Sequence, residues 1–120
     1  MLGKKEWYIP DGFMNPTACG DFESHEAICV LNLGAEDAHL DIAIYFEDRG
    51  PMEGFTAVCP AKRTNHMRLD KITSTSGEKV PHGVPYAIYV KSDLPVVVQH
   101  SRMDVSQPAM TLMTTIAYGE

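Results

Sequence analysis

The sequence predicts an all-β domain, an antiparallel β-sandwich or jelly-roll-like barrel of about seven to eight short strands. Three observations point there. Apolar and polar residues alternate with a period of two, most clearly over residues 39–47. Turn-forming pairs recur along the whole chain, and the runs between them are rich in Val, Ile, Thr and aromatic residues. No convincing helical period is found, and only residues 108–115 are ambiguous.

Residues 27–33 form the first expected strand, almost continuously apolar through Ile28, Cys29, Val30 and Leu31. Gly34-Ala35-Glu36-Asp37 links it to residues 39–47, where Leu40, Ile42, Ile44 and Phe46 alternate with Asp41, Ala43, Tyr45 and Glu47. So short a link cannot make a parallel crossover, so these two runs are expected to pair antiparallel at the centre of the sandwich. Further strands are expected over 55–59, 63–69, 86–91, 96–103 and 112–118. Arg49-Gly50-Pro51, Ser76-Gly77, His82-Gly83 and Asp93-Leu94-Pro95 punctuate them as turns or breaks. Pro10-Asp11-Gly12 and Asn15-Pro16 also read as turns, and none of the expected strands precedes them. In residues 108–115, Pro108, Ala109, Met110, Leu112 and Met113 suit a helix start, whereas Thr114, Thr115 and Ile116 suit a strand.

A chain of 120 residues, 44% hydrophobic, fits one domain spanning 1–120 with its own core. Its charged fraction of 22% argues against disorder. The net charge of −6 argues against a nucleic-acid binder, because neutralising phosphates needs an excess of Lys and Arg. Three cysteines without a CxxC pair fit a reducing compartment better than a disulfide framework. The N-terminus shows no apolar signal segment, and no run approaches the roughly 18 apolar residues of a membrane span. The expected location is cytoplasmic, and a membrane receptor would be met from solution.

Three polar clusters interrupt the strand-like text: Ser24-His25-Glu26, Arg63-Thr64-Asn65-His66-Met67-Arg68 and Gln99-His100-Ser101-Arg102-Met103-Asp104. In extended chain, Val96, Val98, His100 and Arg102 share one face, and so do Thr64, His66 and Arg68. Cations on a strand face are costly unless paired, which leaves two readings side by side. In the first, Arg63, His66, Arg68, His100 and Arg102, with Glu26 and Gln99, line one pocket for a polyhydroxyl or anionic metabolite. In the second, the same groups form structural ion pairs with Glu26, Asp70 and Asp104. His25, His66 and His100 raise the question of a metal, but no HxH, HxxxH or closed His/Cys spacing is present, and His25-Glu26 lacks the second histidine of HExxH. No metal or cofactor is therefore expected. There is no GxSxG, no activated cysteine and no phosphate-cradling glycine loop, so no catalytic residue is assigned. Cys29 and Cys59 read as core filler, and Met110 and Met113 as interface candidates.

Several long stretches carry a resemblance. They include Ser24-His25-Glu26, Leu31-Asn32-Leu33-Gly34, Glu36-Asp37-Ala38-His39 and Ile44-Tyr45-Phe46. Others are residues 60–68, residues 92–104 and Thr115-Ile116-Ala117-Tyr118. Through them nearly the whole chain resembles the sensory rhodopsin transducer family, the soluble transducer of the cyanobacterial sensory rhodopsin and its bacterial relatives. The loop at Arg49-Gly50-Pro51 departs from the pattern. The resemblance implies a β-sandwich that assembles as a homotetramer and serves in signal transduction or small-molecule binding, with sugars as candidate ligands. It implies a membrane receptor as a partner, although relatives also occur in bacteria without a rhodopsin. The residues matching the family pattern are Ser24, His25, Glu26, Asn32, Arg63, Thr64, His66, Arg68, Gln99, His100, Arg102 and Asp104.

The leading functional expectation is a non-catalytic ligand-binding or signalling domain. The alternative is an enzyme acting on a sugar-like metabolite, with His100 or His66 as acid and base and Glu26 as partner. Turnover of a candidate sugar separates the two.

Overall fold

The computed structural model describes residues 2–120, and every regular element among them is a strand. In chain order these are β1 (Lys4–Gly12), β2 (His25–Asn32), β3 (Ala38–Phe46), β4 (Met52–Cys59), β5 (Arg63–Arg68), β6 (Tyr86–Asp104), β7 (Thr111–Ile116) and β8 (Tyr118–Gly119). All pairings are antiparallel, as the sequence predicts.

Two layers form around one long strand. The first runs β4-β3-β6-β1-β8. The second runs β5-β2-β6-β7. β6 is 19 residues long and belongs to both: residues 86–92 pair with β3, and residues 97–103 pair with β2. The break expected at Asp93-Leu94-Pro95 is therefore a place where the strand continues and its neighbours change. Pairing with β3 ends at Ser92 and pairing with β2 begins at Val97, so no ladder partner there needs the N–H that Pro95 lacks. Asp93 uses its carboxylate to accept the His39 N–H at 2.7 Å.

The expected pairing of residues 27–33 with 39–47 does not occur. β2 lies in the second layer and β3 in the first, and the link between them crosses the sandwich. Asn32 holds that crossing in place. Its buried amide donates to the carbonyls of Glu36 (2.8 Å) and Cys59 (2.9 Å) and accepts the Gly34 N–H (2.9 Å). A short link excludes a parallel crossover but not a passage between layers.

Alternation decides what is inside. β3 buries Ala38, Leu40, Ile42 and Ile44 and leaves Phe46 half-buried at its end. β2 contributes Ile28 and Val30, and β6 contributes Ile88, Val90, Val96 and Val98, to the same core as Phe55 of β4. β1 is not among the strands expected from the sequence, because Pro10-Asp11-Gly12 has the composition of a turn. The register shift between Ile9 and Gly12 shows these residues to be a bulge within a strand. Gly12 lies against the Tyr86 ring, where a Cβ would overlap it. Residues 112–118, expected as one strand, are two: Ala117 is buried between β7 in the second layer and β8 in the first.

Candidate functional site

Glu26 on β2 and His100 on β6 both point into the sandwich, 0% and 1% exposed. Cross-strand pairing sets Glu26 opposite Arg102 and Ile28 opposite His100, so the four side chains share one face. Four donors converge on the Glu26 carboxylate. Oε2 accepts the Phe13 N–H at 2.8 Å and Arg102 Nε at 2.7 Å. Oε1 accepts the Tyr86 hydroxyl at 2.5 Å and His100 Nε2 at 3.0 Å. Arg102 extends through Nη2 to the Asp11 carbonyl and carboxylate, both at 3.3 Å.

Burial pushes the Glu26 carboxyl up, but the hydrogen bonds from His100, Phe13, Tyr86 and Arg102 outweigh it and hold it below the usual carboxylate value. Burial, and then the neighbouring Glu26 charge, push the Tyr86 phenol strongly upward, so it stays a donor. No buried side-chain polar atom among the described residues lacks a partner. This cluster is a closed ion-pair network, with His100 shut away from solvent.

The other polar residues lie elsewhere. His66 pairs with Cys29, and Cys29 with Gln99, so these three side chains stand on the outer face of the second layer. Ile28, one residue along, pairs with His100 and Met67 on the inner face. The single pocket expected from Arg63, His66, Arg68, His100, Arg102, Glu26 and Gln99 therefore does not form. The sheet itself separates its two halves, because neighbouring positions on β2 face opposite ways.

The remaining candidates are committed locally. Arg68 grips Asp70 through two hydrogen bonds of 3.0 and 2.6 Å. Arg63 lies at the far end of β5, opposite Asn32, and donates to the Lys62 carbonyl. His25 donates through Nδ1 to the Glu23 carbonyl at 2.9 Å. Ser24 is buried and accepts the Val105 N–H at 2.9 Å, and Asp104 accepts both the N–H and the hydroxyl of Ser106.

On the outer face of the second layer, Thr64, His66 and Gln99 border a shallow depression of about 360 Å³, together with Cys29, Leu31, Val97 and Ile116. Leu31 opposes Thr64 on one side and Val97 on the other. The depression thus spans two cross-strand rows, Thr64–Leu31–Val97 and His66–Cys29–Gln99–Ile116, each mixing polar and apolar side chains. A second depression, on the outer face of the first layer, involves Glu6, Tyr8, Tyr45 and Tyr89. None of these four is a candidate on sequence grounds. The alternation Glu6-x-Tyr8 is the signal for the first two, hidden by the Pro10-Asp11-Gly12 bulge that follows, whereas Tyr45 and Tyr89 lie in the strands expected over 39–47 and 86–91.

Fold and site together define a small all-β sandwich with a charged core network and ligand-sized depressions on both outer faces. The chain belongs to the Anabaena sensory rhodopsin transducer family, whose model matches residues 2–119. It is similar to the crystal structure of Thermotoga maritima 1070, at 38% identity and a TM-score of 0.89, over 100% of this chain and 97% of that one. It is similar also to the Anabaena sensory rhodopsin transducer, at 38% identity and a TM-score of 0.77, over 86% of this chain and 90% of that one. None of the curated proteins matches it.

Proposed function

We propose that this chain is a cytoplasmic, non-catalytic signalling domain that binds an uncharged polyhydroxyl metabolite, such as a sugar, on the outer face of the second layer. The observation that carries the reading is the depression bordered by Thr64, His66 and Gln99, none of them part of the Glu26 network. Hydroxyl groups suit Thr64, His66 and Gln99, and the C–H face of a sugar suits Leu31, Val97 and Ile116 interspersed with them. An anionic ligand has less support. Arg68 is neutralised by Asp70, and Arg102 by Glu26 and Asp11.

The name of the Anabaena relative links that protein to a sensory rhodopsin. A membrane receptor is accordingly the upstream partner in this proposal, and a homo-oligomer, a tetramer, the working state. The edge strand β7 supports assembly: all six of its residues are exposed, none is charged, and Leu112, Met113 and Ile116 are among them. Ile116 also borders the depression, so an interface along β7 would adjoin the ligand.

Calorimetric titration with a panel of neutral sugars and polyols tests the reading. A binder should be found that is neither consumed nor altered, and His66→Ala and Gln99→Ala should abolish its heat while leaving the stability to unfolding within about 0.5 kcal/mol of the parent, as for other surface changes. Turnover of the sugar would establish the enzyme reading instead. Silence across the panel at millimolar concentration would refute the pocket.

A further inference from the structure

The outer face of the first layer carries a surface of different chemistry, independent of the His66 depression. Strand register places Ala43, Tyr89, Tyr8 and Tyr118 in one row across β3, β6, β1 and β8. Tyr8 and Tyr89 stack with ring centroids 5.5 Å apart and planes inclined by 23°, and Tyr118 lies 6.1 Å from Tyr8 at a tilt. Ala87 sits opposite Tyr45 and two residues before Tyr89. Its short side chain opens a depression of about 440 Å³ among Tyr8, Tyr45, Tyr89 and Pro10, with Glu6 at the rim. That volume suits a small molecule.

The polar groups there are already arranged. Tyr89 donates its hydroxyl to Glu6 Oε1 at 2.5 Å, and Tyr8 donates to Glu120 Oε2 at 3.3 Å. Both phenols thus spend their protons on carboxylates, which leaves aromatic rings and negative charge, rather than free donors, at the depression. The Glu6 hydrogen bond pushes the Tyr89 phenol up to about 12, so the ring stays neutral at physiological pH. The depression is lined by no amide, guanidinium or imidazole side chain. Asp41 lies opposite Lys91, and Lys91 opposite Glu6, so the carboxylates along this rim outnumber the one lysine between them.

We propose that this tyrosine face is a binding site for a small organic cation bearing a quaternary ammonium group. Such a cation has no N–H to satisfy. It asks only for aromatic rings and nearby negative charge, which Tyr45, Tyr89 and Glu6 offer, with Tyr8 stacked against Tyr89 beside them. A polyhydroxyl ligand fits this site poorly, because its hydroxyls would find few free donors. A metal ion fits poorly too: the nearest carboxylate is engaged by Tyr89, and no group of three metal-ligating side chains exists among the described residues.

Titration of the purified chain with tetramethylammonium and choline, followed by amide shifts in NMR, tests the site. The expected result is saturable shifts at Ala43, Ala87 and Tyr89, with none from the neutral isostere 3,3-dimethyl-1-butanol. Tyr45 is half-exposed, at 45%, so Tyr45→Leu should leave the fold intact and weaken choline about tenfold, in line with the loss of one aromatic wall. Glu6→Gln should weaken it several-fold, and Lys91→Ala should tighten it. Equal binding of the neutral isostere, or an unchanged affinity in Tyr45→Leu, overturns the proposal. So does a drop in oligomeric mass in Tyr45→Leu, which would assign the face to a second copy of the chain.

Discussion

Glu26 keeps its charge at zero exposure because four donors reach it from three directions: the Phe13 backbone, Tyr86, and His100 with Arg102 along β6. Removing it would leave the buried donors of Phe13, Tyr86 and His100 without an acceptor and Arg102 with only its 3.3 Å contacts to Asp11. Glu26→Ala should therefore destabilise the fold by about 3–5 kcal/mol, read as a lowered midpoint in urea. Arg102→Ala should cost less, since Arg102 is partly exposed and water can replace it at the rim. The same carboxylate gives a pH dependence of known sign. Its folded pKa lies below the ordinary 4.5, so the unfolded chain binds the proton more readily. The stabilisation is fully present above about pH 5, by that linkage, and is lost as pH falls through the folded value. Melting temperature should drop on acidification below that point, and the drop should be shallower in Glu26→Gln. Identical acid profiles for the two proteins would count against the network.

At the scale of elements, two local features position this cluster. The β1 bulge brings Gly12 flat against the Tyr86 ring, which then reaches Glu26. Gly12→Ala should displace the ring, break the Tyr86 hydrogen bond and cost about 1–3 kcal/mol, the usual range for overpacking a filled site. A Tyr86→Phe change made in that background should then add little, which a double-mutant cycle would read directly. Asn32 does the corresponding work at the link from β2 to β3, where one amide holds three backbone groups across the layers. Only the family resemblance singles out Asn32 in the sequence, and its place in the fold shows a structural task.

Across the whole molecule, β6 is the piece that both layers share, and it carries His100 and Arg102 into the core network on one face and Gln99 onto the outside on the other. A ligand seated at Gln99 and His66 would press on β6, whose His100 and Arg102 bond the Glu26 carboxylate, which offers a physical path from binding to a change in assembly. The edge strand β7 is where assembly should be visible. Leu112→Lys together with Ile116→Lys puts two charges on an exposed edge and should reduce the mass seen by light scattering to that of the monomer, with the melt little changed. If the parent is already a monomer at micromolar concentration, β7 is not an interface.

The alternation over residues 39–47 and the spacing of turns are enough to give the all-β class and the buried face of β3, because both depend on a period of two that each strand carries within itself. The sequence also shows that His100 and Arg102 share a strand face and that such cations need partners, Glu26 among the candidates. It does not show that His66 and Arg68 lie on the opposite side of the same sheet. That comes from register: β2 pairs Cys29 with His66 and Ile28 with His100, a parity set by contacts among residues far apart in the chain. The same long-range pairing sends β2 and β3 to different layers, carries β6 through Pro95, and lines up Tyr8 with Tyr89 and Tyr118. Each strand's own residues determine which side chains share a face, and only the packed sheet decides which faces meet.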